Sequence, residues 1–241
     1  MEVKNRLLNY NDMYIYQNDE WFTFSIDSVL LANFTKINLR DKNIMDFCTG
    51  NAPVPMLLSY KTKNKIIGVE LQKEVYDLAV KSINCNNLSD KIEIINYDIK
   101  NISDLYESDS FDIITCNPPY FETRNIELQN DNKIKNIARH EVAISLEDII
   151  INASYLLKNG KKFVMVHRPD RLIEIFDLFK KYNLEPKRIR FCYPKVGKNA
   201  NTLLIEGVKN GNKGMIIESP LFVHNDDGSY TDEIRRCFEE W

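Results

Sequence analysis

From about residue 43 to residue 208, short apolar runs alternate with amphipathic segments, the pattern of strand-helix-strand units wound around a parallel sheet. Seven runs read as strands, at about 43–48, 65–70, 91–96, 111–116, 161–167, 186–193 and 202–208. Between them, Pro53 to Ser59, Glu74 to Asn84, Ser145 to Leu157 and Leu172 to Tyr182 read as helices. Val75, Leu78, Ala79 and Ile83 give the second of these its helical spacing. Ser145, with Asp148 three residues on, is an N-cap signal, and Asn159-Gly160 predicts where that helix stops. Ahead of the core, Met13–Tyr16 and Trp21–Phe24 around Gln17–Glu20 predict a hairpin, and Ser25 to Phe34 a helix. A polar tail follows the core, with a turn at Asp226-Asp227-Gly228. The expected organisation is therefore an arm and helix over 1–35, a main domain over 36–208, and an extension over 209–241 packed on or near it. The insertion from Glu122 to Asn136 is long and polar, and a loop of that length inside a domain is functional or disordered.

An open sheet of this kind binds ligands beyond the carboxyl ends of its strands. Candidate residues should therefore follow Cys48, Glu70, Asn96 and Cys116, and chemistry-bearing side chains do cluster there. Asp46-Phe47-Cys48-Thr49-Gly50-Asn51-Ala52 is a turn whose backbone amides and helix N-terminus can face a ligand, with Cys48 and Ala52 where glycine is common. Taken alone, that segment reads equally well as a plain strand-to-helix turn. Glu70 can accept hydrogen bonds from both hydroxyls of a ribose, and Asp98 can receive an adenine amino group. Either acid could instead cap the helix that follows it.

Asn117-Pro118-Pro119-Tyr120 carries the most chemistry. Two prolines stiffen the loop and remove two N–H groups. Asn117 precedes proline and is biased toward an extended conformation that projects its amide. The amide oxygen of Asn117 and the carbonyl of Pro118 can each accept a hydrogen of an –NH2 group. Tyr120 offers a ring face for a planar base or amide, worth about 1–3 kcal/mol for a base. The competing reading is a rigid proline turn that merely ends a strand.

Composition narrows this picture. A chain of 241 residues with 44% hydrophobic and 28% charged residues has the balance of an ordinary globular protein. No apolar run approaches the roughly 20 residues of a membrane span, and the N-terminus lacks an export signal, so the expectation is a cytoplasmic protein without membrane contact. The cysteines Cys48, Cys85, Cys116, Cys192 and Cys237 show no paired spacing and are expected to be reduced. His140, His167 and His224 lie far apart, and no metal is expected. The net charge of −3 does not mark a nucleic-acid binder, but Lys187, Arg188, Arg190, Lys195 and Lys198 crowd one stretch while acids dominate the tail. Such a basic run is a solvated face unless it borders a catalytic pocket.

The combined pattern resembles the class I S-adenosylmethionine methyltransferases that act on amino nitrogens through an Asn-Pro-Pro-Tyr loop. Phe22 to Leu31, Ala138-Arg139-His140-Glu141, His167-Arg168-Pro169, Glu185 to Phe191 and Tyr193-Pro194-Lys195 narrow the likeness to the bacterial tRNA1(Val) adenine N6-methyltransferase family. The likeness runs over nearly the whole chain. It implies a single-domain α/β protein with a Rossmann-like class I methyltransferase fold, a seven-stranded, mostly parallel sheet with helices on both faces. It implies S-adenosyl-L-methionine as cofactor, S-adenosyl-L-homocysteine as product, and a tRNA partner methylated at the adenine 3′ of the anticodon. By the same resemblance Asp46, Thr49, Gly50 and Asn51 line the methionine part of the cofactor, closed by Phe24 and Asp27, while Glu70 holds its ribose and Asp98 its adenine. Asn117, Pro118, Pro119 and Tyr120 form the catalytic loop, and Arg139, Arg168, Arg171, Lys187, Arg188, Arg190 and Lys195 are the candidates for holding RNA phosphates.

Three other readings stay open at this stage. The same loop can accept a glutamine side-chain amide, although enzymes of that kind carry a helical N-terminal substrate domain that residues 1–24 cannot supply. DNA adenine methylation would need a target-recognition domain, for which only the insertion and tail offer room. A non-catalytic RNA-binding module could retain the fold, but the intact loop together with Glu70 and Asp98 argues against it.

Overall fold

Along the run Phe111–Cys116 every residue is buried, and neighbouring side chains enter different cores: Ile113 packs in one hydrophobic cluster and Ile114 in the other. A strand covered on both faces belongs in the middle of an α/β sheet. The computed structural model, which describes residues 1–7, 13–18, 24–119 and 144–239, puts it there.

In chain order the strands are β1 (Glu2–Arg6), β2 (Tyr14–Asn18), β3 (Ile44–Phe47), β4 (Ile66–Glu70), β5 (Ile92–Asn96), β6 (Phe111–Cys116), β7 (Leu157–His167), β8 (Leu184–Tyr193), β9 (Thr202–Lys209), β10 (Ile216–Ile217) and β11 (Leu221–Phe222). The helices are α1 (Ile26–Phe34), α2 (Pro53–Leu58), α3 (Lys73–Cys85), α4 (Leu146–Leu156), α5 (Leu172–Lys181) and α6 (Asp232–Glu239). The main sheet runs β10-β8-β9-β7-β6-β3-β4-β5, with β11 also paired to β8. β9 is antiparallel to both neighbours, and the other pairings are parallel. The seven strands expected from the sequence form this sheet, and β10 and β11 extend it to nine. Residues of α1, α2, α3 and α6 pack in one cluster, those of α4 and α5 in the other. Successive strands run outward from β3 in one direction and from β6 in the other, so the topological switch point lies between them, where ligands bind in such sheets.

Two expectations change. The hairpin pairs β2 with Glu2–Arg6 in register Lys4 to Tyr16, while of the partner expected at Trp21–Phe24 only Phe24 lies within the described residues. β1 is polar and exposed, so no apolar alternation announces it. On its other side β2 is held by α3: Asn86 accepts from the Tyr14 N–H at 2.8 Å and donates to the Tyr14 carbonyl at 2.6 Å, and Ser82 Oγ accepts from the Tyr16 N–H at 2.9 Å. Side chains thus take the place of a strand.

The second change concerns Asn159-Gly160. Helix α4 starts as expected, with a reciprocal Ser145–Asp148 capping box, but it ends at Leu156 and passes straight into β7. Gly160, at φ +75°, bends the chain inside β7 instead of stopping the helix. The polar tail pairs with the main sheet along β8. It supplies two strands and α6, whose Ile234 is fully buried. Among the described residues no helix is long and apolar enough to cross a membrane.

Candidate active site

A row of three side-chain positions crosses the sheet at the switch point. Asp46 on β3 is the register partner of Thr115 on β6 and of Gly68 on β4. The carboxylate is buried, and each of its oxygens accepts from a hydroxyl: Oδ1 from Thr115 at 2.6 Å and Oδ2 from Thr49 at 2.7 Å. Burial raises the Asp46 carboxyl to about 7, against the pull of the two hydroxyls. Gly68 completes the row by absence, since a Cβ there would come within 2.8 Å of both Thr49 Oγ1 and Ile94 Cδ1.

Thr49 begins the loop that leads into α2. Cys48, Gly50 and Ala52 all take left-handed backbone conformations, at φ 52°, 58° and 71°. The two non-glycine residues therefore adopt what glycine would supply freely, at a cost of about 1–2 kcal/mol each. The loop is held by Thr49 N–H to the Val69 carbonyl at 2.9 Å, Ala52 N–H to the Thr49 carbonyl at 3.0 Å, and Gly50 N–H to Glu70 Oε2 at 2.9 Å. Ala52 is fully buried, and Cys48 packs on the core cluster beyond the sheet, so packing retains both.

Glu70 ends β4 with its side chain buried, Oε1 accepting from Gln72 N–H at 2.9 Å. Burial raises its carboxyl, with the amides of Gln72 and Gly50 opposing. Asp98, beyond β5, caps the 3-10 turn Ile99–Asp104 through the Lys100 N–H at 2.9 Å, the capping role the sequence left open. Asp27 is buried on α1, its Oδ1 3.4 Å from Thr202 Oγ1, and Phe24 packs against the same core. The Asn51 amide donates to the Tyr16 carbonyl at 3.0 Å, so it fastens the arm to the loop. The set fits a cationic nucleoside such as S-adenosylmethionine. Acids stand at the ends of β4 and β5 and on α1, the loop offers backbone, and a Cβ on Gly50 would meet nothing within 4 Å.

Asn117 follows β6 directly, and its Nδ2 donates to Ser28 Oγ of α1 at 3.2 Å. With Nδ2 so engaged, Oδ1 is left as an acceptor without a hydrogen-bond partner among the described residues. Pro118 and Pro119 follow, while Tyr120 lies outside the described residues, as do Arg139 and the 122–136 insertion. Ser28 was not singled out from the sequence. Its signal was a hydroxyl inside a helix whose other residues are almost all apolar, just as Thr115 is a hydroxyl in a strand buried on both faces.

The basic residues divide. Arg188 is buried, with its guanidinium bonded to Glu206 and Glu218 at 2.9 Å and to the Phe34 carbonyl at 2.7 Å. Arg190 bonds the Ser219 carbonyl at 2.9 Å and pairs with Glu233 at 2.7 Å. Neither guanidinium is presented to a phosphate; the basic run meets the acidic tail of its own chain. Lys187 bonds the Asn212 carbonyl at 2.9 Å near the amino end of β8, the wrong edge of the sheet for this site. Arg168 and Arg171 follow β7 on the correct edge. Arg168 donates to the Asn201 carbonyl at 2.8 Å, and Arg171 forms a two-pronged pair with Glu174. Lys195 follows β8 on that edge too.

Two outcomes follow. Because the folded state holds Asp46 with a raised carboxyl pKa, its protonated form stabilises the fold in acid, and that contribution is lost as pH rises through about 7. A cationic ligand favours the ionised form, so calorimetric affinity for S-adenosylmethionine should strengthen several-fold between pH 6 and pH 8, and D46N should flatten the dependence. Ser28→Ala frees the Asn117 amide to rotate; single-turnover transfer should slow with cofactor affinity unchanged, and Ser28→Thr should restore much of the rate.

Comparison with known proteins places this geometry. The family model for the methyltransferase small domain matches residues 25–175, from α1 through the switch point to α5. A Bacteroides fragilis (strain YCH46) protein named tRNA1(Val) (adenine(37)-N6)-methyltransferase is 27% identical over 179 residues, 74% of each chain. A protein of the same name from Haemophilus influenzae (strain PittEE) is 26% identical over 229 residues, 92% of each. Among solved structures, an Agrobacterium tumefaciens protein described as a predicted O-methyltransferase aligns with a TM-score of 0.70 at 19% identity, covering 88% of this chain and 95% of its own. A geranyl diphosphate C-methyltransferase from Streptomyces coelicolor A3(2) aligns at 0.56 and 11% identity, covering 76% of each. These structures share the fold. With the matched model spanning the helix, loop and strand that build the site, the chain belongs to the methyltransferase small domain family.

Proposed function

We propose that this enzyme transfers the methyl group of S-adenosylmethionine to the exocyclic N6 of an adenine in tRNA, at the base 3′ of the anticodon. The observation that carries the reading is the Asn117 amide, turned by Ser28 so that its oxygen accepts, directly beside the loop after β3. The tRNA substrate is supported by the names of the relatives that resemble this chain over as much as 92% of its length.

The cofactor, when bound, supplies a methyl group already activated on a sulfonium. The task left to the protein is to hold the nucleophile in line. Glu70 and Asp98 would hold the ribose and adenine, and Asp27 with the Thr49–Gly50 backbone the methionine end. An adenine amino group is a poor nucleophile because its lone pair is delocalised into the ring. Asn117 Oδ1 and the Pro118 carbonyl accept its two hydrogens, favour pyramidal nitrogen and stabilise the positive charge that develops on it. Tyr120 would stack on the base. No strong base is required before transfer, because the proton becomes acidic only once the nitrogen is alkylated and can then leave to water. His167, the last residue of β7, is a poor candidate for such a base, because burial lowers its imidazole to about 4. An anticodon-loop base is already unpaired, so its extrusion costs less than flipping from a duplex.

The test is a panel of labelled-cofactor reactions with unfractionated tRNA, duplex DNA and a glutamine-bearing release factor, followed by identification of the modified group. N6-methyladenine in tRNA is the expected product. Label confined to glutamine would overturn the RNA reading while leaving amino-nitrogen chemistry intact.

A further inference from the structure

Beyond the carboxyl end of β8 the chain builds an open cleft from two segments that lie far apart in sequence. One wall is the β8–β9 connection, with Pro194, Lys195, Lys198 and Asn199. The other belongs to the tail, with His224 and Asp226. The walls are fastened together: the Val223 N–H donates to the Tyr193 carbonyl and the His224 N–H to the Pro194 carbonyl, both at 2.9 Å. The His224 Nδ1 atom lies 3.3 Å from the same carbonyl, which fixes the ring. Behind it the imidazole stacks on Tyr230 at 5.1 Å and 23°, and Tyr230 is backed by Phe238 at 5.5 Å. His224 is thus the terminal ring of a three-ring stack that ends at the cleft.

The charges of this cleft differ from those of the rest of the basic run. Arg188 and Arg190 are consumed by Glu206, Glu218 and Glu233 in docking the tail. Lys195 and Lys198 have no ion pair among the described residues, and Asp226 is the one carboxylate on the cleft lining. The rim is net positive, and a planar ring lies beside it.

We propose that this cleft binds a nucleotide of the RNA strand outside the methylated position, its phosphodiester on Lys195 and Lys198 and its base against His224. The assignment rests on the tRNA reading above. Two ammoniums select a phosphate, and an imidazole backed by further rings is a stacking platform for an unpaired base. Its distance from the catalytic loop suits such a role. In the sheet, β8 is separated from β6 by β9 and β7, three strand spacings or about 15 Å. A stacked strand rises about 3.4 Å per nucleotide, so the cleft serves a nucleotide within about four positions of the target. The C-terminal extension thereby becomes a substrate-recognition element, because it supplies the stacking wall.

The test measures the affinity of the full chain for an anticodon stem-loop RNA by fluorescence anisotropy across a salt series, for wild type, K195A/K198A and H224A. Lys198 is exposed and Lys195 half-buried, and neither holds an ion pair among the described residues, so the double variant should keep the wild-type melting temperature. Losing two single-strand phosphate contacts should weaken binding and reduce the slope of log affinity against log salt by about 1.4. H224A should weaken binding without changing that slope. Cofactor affinity should be untouched in all three proteins. An unchanged affinity and slope in the double variant, with wild type methylating the RNA, overturns the cleft assignment alone. A wild type that neither binds nor methylates RNA overturns the tRNA reading, and the cleft assignment with it.

Discussion

A carboxylate enclosed at the centre of the sheet is the constraint on which the site is built. Asp46 is buried, which raises its carboxyl to about 7, and hydrogen bonds from the Thr115 and Thr49 hydroxyls oppose that rise. Those bonds join β3, β6 and the first residue of the ligand loop at the one place where the strand order reverses. Gly68 leaves the space into which Thr49 turns. Three left-handed residues within five positions would not hold their course in a loose turn, and the Asp46–Thr49 and Glu70–Gly50 bonds tie both halves of the loop to the strands beneath.

Around this centre the N-terminal segment closes the site instead of merely preceding it. Helix α1 is almost entirely buried, and the Lys61 ammonium caps its end by donating to the carbonyls of Ala32 at 2.6 Å and Asn33 at 3.0 Å. So fixed, α1 brings Ser28 against Asn117 and Asp27 against the start of β9. Strand β2 lies on α3 and reaches the loop through Asn51. At the opposite flank Arg188 and Arg190 anchor the tail. Removing one partner of a buried pair such as Arg188–Glu206 costs about 3–5 kcal/mol, which is stability and not RNA affinity.

What could be read from the sequence followed how local its cause was. Strands buried on both faces appear as continuous apolar runs, and β6 spans the expected residues, Phe111–Cys116. The capping box of Ser145 and Asp148 is likewise written within four residues. The loop after β3 and Asn117 stood out because sheet topology dictates where ligands bind. β1 was illegible because it is a polar strand held by ladder bonds, with the Lys4 ammonium 4.2 Å from the Tyr14 ring. The fate of Arg188 was illegible because its partners lie 18 and 30 residues away in the chain. Charge runs are read locally, whereas ion pairs are decided by the fold. Ser28 acquires its meaning only through a contact 89 residues away.

The proposed transfer rests on Asn117 as the acceptor that prepares an amino nitrogen for attack. Calorimetry of S-adenosylmethionine binding paired with single-turnover methyl transfer to tRNA, on wild type and Asn117→Ala, tests it most directly. The expected result is unchanged cofactor affinity and the loss of nearly all transfer, about a hundredfold or more for removing one transition-state hydrogen bond. Transfer at the wild-type rate by a folded, cofactor-binding Asn117→Ala protein would contradict it.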